Sequence, residues 1–544
     1  MMIRRFYPLL ALPFLADWLF TAFTWLTWNR RPGLGQDSFL LNALAFREGG
    51  QLTLGNDHPL YPALLAFWAS REPAAFTWSK LFSLGWGAVT LGIVIALGAP
   101  LFGLNAALVA AVLLSVNWVF LSLSMSLRAE VLLPLFFFVA WAAAWRGFRG
   151  DGRWFLLSGL AAGLATLTKG TGTLLALCWA LAFTAAALRD RGLWRRAPWF
   201  AAGFLSLAIW LWWANAAVLG DAFYNYSSQH AIWLDTWWEA GTRPLEDQTL
   251  GGFVARHGWL GLPKRLASGM REFAPLWVKT LAPGPSFPIF HGLRLALALA
   301  GALSLWRARR AAWAALRRFD GAALFTAVLV AAFFVMFSWY NVVSPSERFV
   351  APLSPMLYLL AAAAFVAGWE VVEAKMAALR PGLKTGLVLA CFLSGFTALG
   401  TVIKAAIWGV GNPFALDRPE PCYAEAMAWT ASRTGRVLYG PSADLSSWPL
   451  PPGTLIAGLP EGGPPPDLAA WFKAQKVRSA VVDWDMARMP FLEGAFTSLP
   501  EGGVAAVKLP KGWREAGRDT LHTPPHLLLI EEEPPKATKL PRPK

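Results

Sequence analysis

Eight side chains in this sequence have the chemistry to handle a charged substrate: Asp37, Asp57, His58, Tyr61, Arg128, Glu130, Lys169 and Arg348. Asp37 opens a stretch in which Phe39, Leu40, Ala43 and Leu44 recur at helical spacing, which predicts an amphipathic helix. The bland reading of such an acid is a helix cap. Further on, Asp57-His58-Pro59 with Tyr61 and Pro62 predicts an acid–His–Pro turn running into a short apolar helix. Together these pieces form a compact re-entrant element, of the kind that lines a cavity at membrane depth. Arg128 and Glu130 lie in SLSMSLRAEVLLP, at the start of an apolar run. Their bland reading is a surface ion pair of little worth. Lys169 lies in GLAAGLATLTKGTGTLL, where Gly170 and Gly172 would let backbone approach a ligand; otherwise it is a lysine snorkelling at a hairpin. Arg348 follows Glu347 in NVVSPSERFVAPLSP, ahead of Pro352 and Pro355, which should kink the next helix. Carboxylates suit proton removal. Lysine and arginine suit the stabilisation of phosphate.

The elements that must position these groups are set by a lipid solvent. The chain has 544 residues, of which 56% are hydrophobic and 15% charged, with a mean hydropathy of +0.44. Soluble chains run nearer 45–50% and about 25%. The length rule of ~20 apolar residues per crossing predicts about eleven spans. They fall at 7–28, 80–99, 104–122, 131–146, 154–168, 171–188, 198–218, 291–306, 321–340, 349–369 and 385–407. The fold class expected is an all-α polytopic membrane bundle with a small C-terminal α/β domain.

Charge fixes the sidedness. Counting spans alternately puts Arg4 and Arg5 on the same side as Arg146, Arg149 and Arg153, and as Arg189, Arg191, Arg195 and Arg196. Arg307, Arg309, Arg310, Arg317 and Arg318, and then Lys375, Arg380 and Lys384, join them. By the positive-inside rule that side is cytoplasmic. The expectation is therefore a multi-pass protein of the inner (plasma) membrane with a cytoplasmic N-terminus. The apolar run to Trp28 suits an uncleaved anchor better than a signal peptide ending near Ala16. The net charge of +15 is spent on these loops, so no nucleic-acid partner is expected.

A transmembrane domain over 1–410 is expected, with a first external loop at 29–79 and a second at 219–290. Residues 411–532 form the extracytoplasmic α/β domain. In it YAEAMAWTASRTG and DLAAWFKAQKV read as helices, and RVLYGP and RSAVVDW as strands. Residues 533–544 read as a disordered tail. Cys178 and Cys391 lie in apolar runs and Cys422 stands alone, with no CxxC motif, so neither a disulfide framework nor a thiolate metal site is expected. All the chemically capable residues then fall on the face opposite the arginine-rich loops. Acids and cations together at a membrane surface suit chemistry on a phosphate-linked lipid.

The order of these motifs resembles the GT-C superfamily of integral-membrane glycosyltransferases. The resemblance is nearest to the group holding protein O-mannosyltransferases, lipid A aminoarabinose transferases and lipopolysaccharide-core galacturonosyltransferases. It is carried by Asp37, by HPLYPALLA from His58, by SKLFSLGWGAVTL from Ser79 and by RAEVLLPLFFF from Arg128. GLAAGLATLTKGTGTLL from Gly159 and ERFVAPLSPMLYLL from Glu347 complete it. The resemblance implies a polyprenyl-phosphate sugar as donor. It implies transfer to an envelope acceptor — a glycolipid such as lipid A, another glycan, a lipid or a protein hydroxyl — on the extracytoplasmic face. It implies Asp37 and Glu130 as catalytic residues. Lys169 and Arg348 would hold the lipid phosphate, and His58, Asp57, Tyr61 and Arg128 would complete the substrate contacts. No cofactor is obligatory, and Asp37 with Glu130 would be the pair to hold a divalent cation. The chain departs from the pattern in two places: Ser38 stands where many relatives carry a second acid, and His58-Pro59-Leu60 replaces a His-Pro-Pro.

The expected reaction is attack of an acceptor hydroxyl on the anomeric carbon, with Asp37 as base and inversion at that carbon. Two rivals belong to other classes. A flippase or transporter of the same lipid would need polar groups through the bilayer, for which Asp17 is the one hint. A ligase or polymerase would use a lipid-pyrophosphate glycan.

Overall fold

A computed structural model describes residues 36–47, 58–70, 73–237, 243–281 and 308–376. In the C-terminal region it describes 421–433, 436–439, 454–456, 467–474, 476–487, 494–499 and 503–533, with a few positions besides. Asp57, the expected spans at 7–28, 291–306 and 385–407, and the tail from 534 lie outside the described residues, apart from isolated positions within 7–28 and at 306.

The N-terminal part is helical. Helix α1 (Gln36–Arg47) is followed by α2 (Leu60–Leu65), α3 (Pro73–Phe102), α4 (Leu104–Ser115) and α5 (Trp118–Ser124). Next come α6 (Leu132–Arg149), α7 (Trp154–Thr168), α8 (Thr171–Arg189) and α9 (Ala197–Leu219). Six helical segments are long and apolar enough to cross a membrane: 74–102, 129–149, 171–189, 191–219, 321–341 and 347–367. Two more apolar helices, 104–115 and 154–168, are shorter. These eight coincide with eight of the expected spans. The full count of about eleven therefore goes beyond what the described residues show. The expected span at 104–122 is broken, because Asn117 leaves the helix and caps the next one, its side chain accepting from Phe120 N at 2.9 Å. Its amide also donates to Thr280 O at 2.6 Å, which ties the break to a distant helix.

Apolar sequence alone does not hold such helices together in lipid, so close packing must. Glycines supply it where α7 crosses α9. A Cβ on Gly159 would lie 2.2 Å from Phe200 O, and one on Gly203 would lie 2.3 Å from Leu156 O. The two backbones meet through a pair of missing side chains. Nearby, Trp179 and Phe200 stack with ring centres 3.7 Å apart. Helix α6 is the most enclosed of the spans, with Phe137, Phe138 and Trp141 fully buried. At its far end Arg149 pairs with Asp320 at 3.2 Å, and Asp320 caps the helix Gly321–Asn341.

The expected second external loop is largely helical, with Tyr226–Gln229, Leu250–His257 and Gly261–Leu281. Asp235 gathers this segment: His257 Nε2 lies 3.0 Å away, and Arg243, Arg256 and Arg265 lie at 3.7–3.8 Å. The C-terminal region forms the expected α/β unit. Its five-stranded sheet has the order β2-β1-β3-β7-β6, with β1 (Arg436–Tyr439), β2 (Thr454–Ile456), β3 (Val477–Asp483), β6 (Trp513–Arg518) and β7 (Leu527–Glu532), while β4 (Phe496–Ser498) and β5 (Val504–Ala506) pair in a separate two-stranded sheet. β1 runs parallel to both β2 and β3, while β7 runs antiparallel to β3 and β6. The two segments read as helices are helical at Pro421–Ala431 and Leu468–Ala474.

Candidate functional site

The site is built on the first turn of α6. Residues Ala129–Val131 form a 3₁₀ turn that leads into that helix. An acid in a first helical turn is favoured by the unpaired N–H groups there. Glu130 is buried, with its side chain 5% exposed. Burial of a lone carboxylate is costly, so it must be paired. Lys169 Nζ meets Glu130 Oε1 at 2.5 Å, and Arg348 Nη1 meets the same oxygen at 3.4 Å. Both cations remain about one-third exposed, at 33% and 35%. Arg128 is close enough to feel both Glu130 and Arg348. Burial pulls its guanidinium down from the ordinary value, with Glu130 opposing and Arg348 reinforcing that shift. Two cations from separate segments thus meet one carboxylate, and Arg128 adds a third positive charge nearby.

Their charge is not used up. Glu347, the neighbour of Arg348 in sequence, faces away and pairs with Lys279 at 2.6 Å. Among the described residues, Arg348 Nε and Thr171 Oγ1 are buried and have no hydrogen-bond partner. Buried polar groups are nearly always satisfied, so orphans beside exposed cations point to a ligand with several acceptor oxygens.

The HPLY turn holds the cations in place. His58 Nδ1 lies 2.5 Å from Thr166 O, and because a carbonyl only accepts, Nδ1 carries the proton. His58 Nε2 then accepts from Asn225 Nδ2 at 3.0 Å. The amide orientation is fixed independently, since Asn225 Oδ1 accepts from Ser228 N at 3.0 Å. Burial pushes the imidazole pKa down to about 4, with the Thr166 hydrogen bond opposing and Lys169 reinforcing the fall. His58 is thus neutral with both nitrogens occupied, and it clamps the end of α7 three residues before Lys169. Tyr61 is buried too. Ser83 donates to Ser79 O at 3.2 Å, so Tyr61 donates to Ser83, at 2.7 Å. Burial raises the Tyr61 pKa, with Ser83 opposing.

Gly172 allows the hairpin that presents Lys169. A Cβ there would lie 2.1 Å from Thr166 N. The close approach expected of this glycine is therefore made by the chain's own backbone. Helix α1 packs Leu40, Ala43 and Leu44 inward as expected, with Asp37 in its first turn. The Asp37 side chain lies outside the described residues, so its distance to Glu130 is not part of the observed geometry.

Two groups escaped the sequence reading. Asn225 gave only the weak signal of a polar residue before a short helix. Lys80 sits one turn or so inside an apolar run and is fully buried, with Nζ donating to Leu26 O at 3.0 Å. A lysine within a span was the available signal.

The cation cluster and the loop that follows Arg149 lie at opposite ends of α6. Glu130 and Arg149 bracket one helical segment, about 28 Å apart at 1.5 Å per residue.

Residues 75–213 match the dolichyl-phosphate-mannose-protein mannosyltransferase family. Among solved structures, the chain resembles the archaeal oligosaccharyltransferase AglB from Archaeoglobus fulgidus in complex with an inhibitory peptide and a dolichol-phosphate. That likeness has a TM-score of 0.53 and 14% identity, over 92% of this chain and 74% of that one. It also resembles ArnT from Cupriavidus metallidurans bound to undecaprenyl phosphate, with a TM-score of 0.52 and 16% identity over 95% and 97% of the two chains. ArnT in the apo state gives a TM-score of 0.51 and 15% identity, over 89% and 94%. No curated protein sequence matches the chain. The resemblance to the GT-C superfamily expected from the motif order is met, in the family segment and in the fold.

Proposed function

We propose that this chain is a glycosyltransferase that moves a sugar from a polyprenyl-phosphate donor to a hydroxyl of an envelope acceptor, on the extracytoplasmic face of the plasma membrane. The observation that carries the reading is the convergence of Lys169 and Arg348 on the single buried carboxylate of Glu130, with Arg128 two residues before it in sequence. The orphaned Arg348 Nε and Thr171 Oγ1 lie in the same segments. A phosphate fits such a cluster, offering acceptor oxygens and negative charge, first as the diester of the donor and then as the departing monoester. The complexes of AglB with a dolichol-phosphate and of ArnT with undecaprenyl phosphate, both of this fold, support a lipid phosphate as the ligand class.

The reaction follows from the charge. The acceptor oxygen bonds to the anomeric carbon as that carbon's bond to the phosphate oxygen breaks. The electron pair stays on the phosphate, where negative charge grows and Lys169, Arg348 and Arg128 stabilise it. The leaving group is already an anion, so it needs cations more than a general acid. Asp37 receives the acceptor's proton. One displacement inverts the anomeric centre. Glu130 aims Lys169 and Arg348; His58 fixes the backbone just before Lys169, and Tyr61 ties the same turn to Ser83. A divalent ion at Glu130 would have to join two cations that already meet one of its oxygens, so no step runs through a metal.

Purified protein supplied with a polyprenyl-phosphate sugar and acceptor should release polyprenyl phosphate and form the glycosylated product. Asp37→Asn should lower transfer by about 10²–10⁴ while leaving donor binding intact. Near-normal turnover in that variant would remove Asp37 from the chemistry. Movement of the lipid across vesicles without cleavage would replace the whole reading with a transporter.

A further inference from the structure

A second constellation lies far along the chain, in the loop that joins β6 to β7. Asp519 follows β6 directly and its N–H donates to Leu527 O at 3.0 Å, closing the hairpin. Its carboxylate is buried inside the turn. Oδ1 accepts from Leu521 N at 2.8 Å, while Oδ2 accepts from His526 N at 3.1 Å and from His522 Nδ1 at 2.6 Å. The His522 and His526 rings lie face to face, 3.7 Å between centres and 9° from parallel. One ligand atom from each of Asp519, His522 and His526 lies within 4.8 Å of the others. Two of the six histidines of the chain thus stand over one carboxylate, in a loop that leaves both rings partly open to solvent.

We infer that Asp519, His522 and His526 form a binding site for a transition-metal dication of the zinc class. Two imidazoles and a carboxylate are a donor set such ions take, with the fourth position left to water. The buried carboxylate is already fixed by two backbone N–H groups, as the outer partners of a metal ligand are. The ion takes the place of the proton between Asp519 Oδ2 and His522 Nδ1, so that proton is released on binding. Parallel rings cannot both aim an in-plane lone pair at one ion. His526 therefore turns out of the stack to become the third ligand, and the three atoms close to the ~3.3 Å separations of a tetrahedral site. The bound ion would brace the loop at the end where β6 and β7 are joined, independently of any chemistry at Glu130.

The full-length chain, purified without a histidine tag and stripped with chelator, is dialysed against zinc and its bound metal counted by mass spectrometry. The wild type should hold one zinc per chain more than the variant carrying His522→Gln and His526→Gln, and should release a proton as it binds. The difference between the two isolates this site from any other. Equal zinc in both overturns the assignment. A measurement without variants is cobalt(II) added to the stripped wild type. The visible spectrum of a low-symmetry nitrogen–oxygen site is expected, and only the weak bands of the hydrated ion would count against the site.

Discussion

Replacement of Glu130 by Gln is the most telling perturbation of the cation cluster. The substitution keeps the shape of the side chain and removes the charge that faces Lys169 at 2.5 Å and Arg348 at 3.4 Å. At an effective dielectric constant of about 20, a unit pair about 4 Å apart attracts by about 4 kcal/mol. Two such pairs would suggest ~8 kcal/mol. Both cations are about one-third exposed, however, which screens the attraction. Burying the carboxylate also has its own cost, which the variant no longer bears. A net loss of ~2 kcal/mol is the reasonable expectation. It should appear as a lower unfolding temperature in detergent. If the same ~2 kcal/mol of placement is lost from the transition state, transfer falls about 30-fold. The assay is the initial rate of polyprenyl-phosphate release against donor concentration, which separates kcat from KM. Since Lys169, Arg348 and Arg128 remain, KM for the donor should not rise; kcat should fall. Glu130→Asp should recover part of kcat. Wild-type kcat and an unchanged unfolding temperature in Glu130→Gln would refute the idea that this carboxylate aims the cations. A raised KM with normal kcat would instead put Glu130 in contact with the sugar.

Two further outcomes follow from neighbouring residues. His58 is neutral and buried, with its pKa lowered from 6.5 to about 4, so the unfolded chain binds its proton more readily than the folded one. Stability is therefore complete above pH 6.5 and declines as pH falls from there toward 4, by up to about 3 kcal/mol from this group; His58→Gln should flatten the fall in unfolding temperature over that window, and an identical pH profile would refute the burial of a neutral ring. Gly172→Ala sets a methyl against the backbone of α7 at Thr166 and Ala165, which should cost about 1–3 kcal/mol and, by moving Lys169, lower transfer as well; a variant as stable and as active as wild type would mean that the hairpin does not need the close approach.

Much of this arrangement was legible because it follows from periodicity and charge. Eight expected spans appear as helices, since lipid demands continuous apolar stretches whatever the tertiary fold. The α1 face of Leu40, Ala43 and Leu44 followed from helical spacing alone. Two strands of the C-terminal unit, β1 and β3, and two of its helices followed from alternation and turn residues, whereas β2, β6 and β7 were not read from the sequence. The site was legible as a set but not as a set of roles. His58 bonds residues 108 and 167 positions away, at Thr166 and Asn225, and no local pattern encodes such partners. Arg348 and Glu347 are adjacent in sequence, yet a 3₁₀ turn sends one to Glu130 and the other to Lys279. Gly172 signalled a close approach without saying whose backbone would make it. The break at Asn117 was hidden because the surrounding residues are uniformly apolar, and only the caps and contacts of Asn117 itself interrupt the helix.

The central claim is that Lys169 and Arg348 hold the phosphate of the lipid donor. Binding of a short-chain polyprenyl monophosphate to the purified protein, at one fixed salt concentration, tests it without requiring the sugar or the acceptor to be known. A hydrogen bond between charged groups is worth about 1.5–3 kcal/mol. Lys169→Ala and Arg348→Ala should therefore each weaken binding by roughly tenfold to a hundredfold, with the loss shrinking as salt is raised. Two variants that bind the lipid phosphate as tightly as the wild type would contradict the account.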